Sequence, residues 1–208
     1  MEWLNFVLVV CVALIAGQPK AAAPQDLPTD RTVDTYSVYD AALVGAIFDH
    51  PDDAMTYFIS DHTGQTYDVP DVSKCVQPPK EDQWAFAEAV ADFRAQQGKV
   101  YRLENYFTLK QRKLLLVAPN DEAVIRKKLS TAQHISNPQL DEATDIIRLS
   151  NVGFSHDRSL AIVIVSNYCG NMCGGEKWRI FTRSDNGWAE QQYTCFVWSM
   201  LLPPVRRR

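Results

Sequence analysis

The sequence predicts an α+β fold: N-terminal helices packed on a C-terminal antiparallel β-meander of about four strands. Three observations carry this reading. In the first part of the chain, apolar residues recur every three or four positions, as on one face of a helix. The last third changes to short runs rich in β-branched and aromatic residues, the composition of strands. Those runs are joined by short turns, which force neighbouring strands to pair antiparallel.

Of the 208 residues, 46% are hydrophobic and 22% charged, an ordinary globular balance. The length suits one domain with a sizeable core. A formal net charge of −4 gives no basic face for nucleic acid, and no nucleic-acid partner is expected. The dense basic cluster Arg206, Arg207 and Arg208 reads as a solvated tail.

Residues 3–17 (W-L-N-F-V-L-V-V-C-V-A-L-I-A-G) carry no charge. The run is shorter than the roughly 20 apolar residues of a membrane-spanning helix, and it fits the apolar centre of a secretory signal peptide. Residues 1–17 are therefore expected to be a signal peptide or, alternatively, an uncleaved N-terminal anchor. No other integral membrane segment is expected. Residues 18–32, rich in Pro, Ala and polar groups, read as a flexible leader. Residues 33–208 read as a single α+β domain.

Tyr36, Tyr39, Leu43 and Ile47 predict a helix over 33–48. M-T-Y-F-I-S, residues 55–60, predicts a strand, and residues 67–80, with three prolines around Cys75, a loop. Residues 81–97 predict a second helix, with acids at its start, Gly98 at its stop, and Phe86, Val90 and Phe93 on its apolar face. L-L-L-V within 112–117 predicts a buried strand ended by Pro119, and Asn120 is placed to cap a third helix. Residues 133–141 read as a loop. Strands are then expected over 145–154, 159–167, 178–183 and 188–198. Asn186-Gly187 is a strong hairpin signal, because both residues tolerate positive φ. In L-A-I-V-I-V both alternate faces are apolar, so this strand is expected to be covered on both sides.

Loss of a signal peptide would remove Cys11 and leave Cys75, Cys169, Cys173 and Cys195. An even number of cysteines in an exported chain suggests disulfides, and four allow three pairings. Cys169 and Cys173, each followed by glycine, suit a stapled tight loop. Three intervening residues with strand-like flanks do not match a thioredoxin-type site, which has two and opens a helix. Loop entropy assigns about 2 kcal/mol to a Cys169–Cys173 bond and roughly 5 kcal/mol to Cys75–Cys195. The latter would also tie the helical half to the last strand, so this pairing is favoured. A redox-active Cys169–Cys173 bond is the alternative, since short-ring disulfides can be labile. Zinc needs about four ligands. His50, His62, His134 and His156 are scattered, and no metal or cofactor is expected.

The sequence contains no G-x-S-x-G, H-E-x-x-H, P-loop or G-x-G-x-x-G motif. Asp49-His50 and Asp61-His62 are adjacent acid–histidine pairs. Neighbours on a strand face opposite ways, so adjacency alone predicts no catalytic pair. Trp178, Trp188 and Trp198 cluster in the meander. Core packing is the plain expectation for them, and an exposed aromatic binding surface is the sharper one.

Residues 149–188 (L-S-N-V-G-F-S-H-D-R-S-L-A-I-V-I-V-S-N-Y-C-G-N-M-C-G-G-E-K-W-R-I-F-T-R-S-D-N-G-W) resemble a pattern in uncharacterised exported bacterial proteins. These share a V-G-F-S strand, an apolar A-x-V strand, a C-G-x-x-C-G loop and a final G-W hairpin. The family implies export and no particular activity, and Cys75 and Cys195 are not part of its pattern. The order of elements is also similar to cystatin-like and nuclear-transport-factor-like folds, a fold-level analogy.

The expected protein is thus a non-catalytic, disulfide-stabilised domain, periplasmic or secreted, that binds an envelope or extracellular ligand. A thiol–disulfide protein acting through Cys169 and Cys173 is the alternative. A hydrolase with a site near His62 or His156 is the second.

Overall fold

The structure is a computed structural model and describes residues 24–47, 56–64, 72–76, 78, 80–109, 113–171, 173–192 and 195–197. The expected signal or anchor, Asp49-His50 and Trp198 lie outside them.

The chain has helices and one large mixed sheet, an α+β architecture. The strand β1 (Gln25–Asp26) leads into α1 (Thr29–Ile47), which is followed by β2 (Thr56–Ser60) and the short α2 (Val72–Cys75). A 3₁₀ turn at Lys80–Asp82 opens α3 (Gln83–Ala95), and β3 (Tyr101–Arg102), β4 (Lys113–Val117), α4 (Pro119–Thr131) and α5 (Pro138–Asp141) come next. The last third holds β5 (Ile146–Leu149), β6 (Gly153–Phe154), β7 (Leu160–Gly170), β8 (Cys173–Ser184), β9 (Gly187–Glu190) and β10 (Cys195–Val197).

Strand order in the main sheet is β10-β8-β7-β5-β2-β4, with β6 also on β7 and β9 also on β8. The C-terminal strands pair antiparallel, as the short turns require. The sheet is larger than the expected four-stranded meander, because β2 joins it parallel to both β4 and β5. Parallel strands need a crossover: the chain passes from β2 to β4 by way of α2 and α3, and from β4 to β5, on the other side of β2, by way of α4 and α5. Nothing local in T-Y-F-I-S or L-L-L-V announces so distant a partner. A separate parallel pair, β1 with β3, engages residues of the expected leader, and α1 begins at Thr29 within that stretch.

Alternation along β7 builds the core. Leu160 to Val165 are all buried. Ala161, Val163 and Val165 meet Tyr39 and Leu43 of α1, and Leu160, Ile162 and Ile164 meet Phe86, Val90 and Phe93 of α3. A third cluster puts Ile125 of α4 over Phe58 and Ile146. Each buried Val, Leu, Ile or Phe among them contributes about 1.5–3 kcal/mol on burial. The helices therefore cover both faces of the sheet.

The expected strand 145–154 is broken in two. Leu149 pairs with Val165 and Gly153 with Ile162, so one extra residue bulges on the β5–β6 side. Ser150 repairs the ladder there: Ile164 N–H donates to its Oγ at 2.8 Å. Helix α4 begins with Pro119 in its first turn and Ala118 as its N-cap, rather than Asn120. Proline's fixed φ suits that position and its missing N–H is not needed.

Candidate functional site

The cysteine loop is the tip of the β7–β8 hairpin. Gly170 pairs with Cys173, and a disulfide joins Cys169 to Cys173. Gly170 and Gly174 take φ of +124° and +143°, which a side chain would strain. The tip leans on α4. Asn171 Nδ2 donates to Ser130 O at 2.9 Å, and the Arg126 guanidinium lies 4.6 Å from the centre of the Tyr168 ring. The side chains of Cys75 and Cys195 lie outside the described residues.

The tryptophans do not make one exposed surface. Trp178 is 4% exposed and packs edge-on against Phe93, with ring centres 4.8 Å apart. It belongs to the core between α3 and the sheet, because its position on β8 faces that helix. Trp188 is half-buried, beside Phe154 and under Arg183.

His62 and its neighbours gather at the carboxyl end of β2. The bend at Asp61 turns that side chain back, so Asp61 Oδ1 lies 2.9 Å from His62 Nδ1. The adjacent pair thus meets, although strand alternation predicts otherwise, because the strand has ended. Ser60 Oγ lies 3.2 Å from the same Nδ1. A catalytic triad uses opposite ring nitrogens for serine and acid, and here both crowd one nitrogen. The Ser60 hydroxyl donates to Glu122 Oε2 at 2.8 Å, and Ser60 is fully buried. Glu122, 2% exposed, also accepts from Arg126 Nε and Arg148 Nε, each at 2.7 Å. Burial alone would raise its pKa. The Arg126 hydrogen bond, the Arg148 charge and the Ser60 hydroxyl outweigh this and hold the carboxyl below its ordinary value. This fully partnered knot ties β2, β5 and α4 together.

The turn at 155–158 is similar. Ser155 Oγ and Ser159 Oγ both donate to Asp157 Oδ1 at 2.7 Å. The Ser159 N–H first, and then these two hydroxyls, hold the Asp157 carboxyl down to about 2. His156 is exposed, and its backbone N–H donates to Glu88. A depression of about 430 Å³ lies beside it. Its arginines are already paired, Arg31 with Asp92 at 2.8 Å and Arg158 with Asp34 at 2.6 Å, and Glu88 accepts from Trp84 Nε1 and the His156 N–H.

A larger cleft of about 600 Å³ opens between α1 and residues 102–108, a volume in the range of small-ligand sites. Its parts are held rigidly. Glu104 N–H donates to the Tyr36 hydroxyl at 2.6 Å, and Thr108 donates through N–H and Oγ1 to Asp40 Oδ2 at 3.0 and 2.6 Å. Tyr106 stands edge-on to Tyr36 with ring centres 5.3 Å apart and is 57% exposed. Its hydrogen bond to Glu104 and that carboxylate's charge raise its phenol pKa. Asp40 is buried, and its Oδ1 has no hydrogen-bond partner among the described residues. The spacing of Tyr36 predicts a buried helix face and gives no sign of this cleft. The available signal was Asp40 itself, a charge one helical turn beyond Tyr36, on the side of the helix that carries the apolar stripe.

Among the described residues, no group of three or more His, Cys, Asp or Glu could hold a metal ion. Among them also, no helix is long and apolar enough to cross a membrane. No protein-family model matches the chain, and neither curated proteins nor solved structures yield a match to it.

Proposed function

We propose that this is a non-catalytic, exported, disulfide-stapled α+β domain whose ligand seat is the cleft between α1 and residues 102–108. The observation that carries the reading is a contrast in hydrogen bonding. Ser60, Ser155 and Glu122 are spent on fixed structural partners, whereas Asp40 in the cleft has a buried carboxylate oxygen with no hydrogen-bond partner among the described residues, a state shared only by the neutral amide oxygen of Asn151 among them. Natural structures rarely leave such a group unmet. Export is supported by the uncharged apolar run at 3–17, by the resemblance of residues 149–188 to exported bacterial proteins, and by a disulfide, which persists in oxidising compartments.

The test pairs a hydrolase substrate panel with a thermal-shift screen of small molecules. The expected result is no turnover, together with ligands that raise Tm in the wild type and lose that effect in Tyr106→Ala. Turnover abolished by Ser60→Ala or His62→Ala would overturn the reading in favour of a hydrolase.

A second reading, thiol–disulfide exchange, is favoured by one observation: Cys173 is exposed at the hairpin tip. It requires the Cys169–Cys173 bond to open in glutathione mixtures near the compartment's own potential. Peptide mapping across a graded glutathione series measures this, and a bond that survives the series removes the reading.

A further inference from the structure

Resting on the cleft as the ligand seat, we propose that it binds a small organic cation, an ammonium group on an aromatic or aliphatic body, with the nitrogen seated on Asp40.

The hydrogen-bonding inventory of the cleft argues for this class. Asp40 is 8% exposed. Its Oδ2 is saturated by two donors from Thr108, while its Oδ1 has none among the described residues. Two neighbouring hydroxyls have already used their protons, while the Tyr36 hydroxyl accepts from Glu104 N–H. Thr32 Oγ1 donates to Pro28 O at 3.1 Å, and Ser37 Oγ donates to Val33 O at 2.9 Å. Both keep only lone pairs for a ligand. The cleft therefore presents acceptors in excess and calls for a donor-rich guest. An ammonium offers three donors and no acceptor.

Charge points the same way. Among the described residues, the lining carries Asp26, Asp40 and Glu104 against Arg102. An anionic ligand would meet repulsion there. A bare metal ion is disfavoured, since these carboxylates form no group able to ligate one among the described residues. The rim adds apolar and aromatic surface. Val33 is 78% exposed and Tyr106 57% exposed. An exposed tyrosine face attracts an organic cation through its ring quadrupole. A ligand with a charged head and an apolar body uses both features, head inward and body against Tyr106 and Val33.

Three probes of similar size and different charge separate the possibilities: 2-phenylethylamine, 2-phenylethanol and phenylacetate. Each is titrated into the folded protein to about 10 mM, the range a ligand of this size requires, with backbone amide shifts followed by NMR. The amine is expected to move the Tyr36, Glu104 and Thr108 amides saturably, about tenfold more tightly than the alcohol, because a charge-assisted bond to a desolvated carboxylate is worth at least that factor. Phenylacetate is expected not to bind. Asp40→Asn keeps the side-chain shape and should remove the amine's advantage over the alcohol. Glu104→Gln, at an exposed position, should weaken the amine about two- to threefold without touching the fold, and so covers the case where Asp40→Asn does not fold.

If the alcohol or phenylacetate binds the cleft as well as the amine, or if neither variant changes the amine's affinity, the cation inference is overturned while the cleft stands as a ligand seat. If none of the three probes moves the cleft amides, both fall.

Discussion

Gly153 shows how much a single methyl group can matter. A Cβ there would sit 2.3 Å from Ala89 O and 2.6 Å from Phe93 Cβ. Two of the nearest three atoms are α3 backbone, so relief requires moving the helix. Gly153→Ala is expected to destabilise the fold by about 2–3 kcal/mol, the upper part of the overpacking range, measured by urea denaturation. Glu122 is the electrostatic counterpart. Its removal leaves Arg126 and Arg148 facing each other without their shared carboxylate. Glu122→Ala should cost roughly 3 kcal/mol, as expected for breaking a buried pair, in the same measurement. A loss below 1 kcal/mol would mean the knot is better solvated than its burial suggests.

At the scale of elements, the β7–β8 hairpin and helix α3 carry the sheet's cover. Trp178 fills the space between α3 and β8, and Trp178→Ala should cost about 3–5 kcal/mol, measured by urea denaturation, with a loss of near-UV CD signal. The disulfide at the hairpin end closes a short ring. Cys173→Ser is expected to lower stability by about 2 kcal/mol while leaving 2-phenylethylamine binding in the cleft unchanged, which an amide-shift titration would check. Loss of that binding would couple the hairpin tip to α1, which no contact described above does. Elements were legible wherever their signal was local. Tyr36, Tyr39 and Leu43 are buried on α1 as their spacing predicts, and Phe86, Val90 and Phe93 on α3 likewise. The bulge at Ser150 and the parallel placement of β2 were not legible, because each is set by a partner strand distant in sequence.

For the molecule as a whole, the titrations predict a stability plateau with two edges. Glu122 and Asp92 ordinarily titrate near 4.5 and 3.8. In the fold both are held lower: burial opposes ionisation, but Arg126 and Arg148 around Glu122, and Arg31 beside Asp92, prevail. A depressed carboxyl contributes its stability above the unfolded pKa and loses it as pH falls toward the folded one. Stability should therefore hold from neutral pH down to about pH 5 and then fall, and Glu122→Gln should flatten that limb. The alkaline edge has the opposite sign. Burial raises the Tyr39 phenol above its ordinary 10.0, so the unfolded chain ionises first and stability declines above that pH. Denaturation series at several pH values would locate both edges, and a single flat profile would contradict them.

What the sequence determined by itself was the α+β class, the apolar faces of α1 and α3, the doubly covered strand at Leu160–Val165 and the tight cysteine turn. All of these depend on neighbours within about one or two turns of chain, where spacing and residue type suffice. Only the tertiary structure decided that Trp178 is core, that Asp61 and Ser60 converge on one ring nitrogen of His62, and that Asp40 lines a cleft with an oxygen unmet among the described residues. Those outcomes depend on which distant backbone or side chain arrives at hydrogen-bonding distance. Thr108 reaches Asp40 from 68 residues away, and no period in the sequence encodes that meeting.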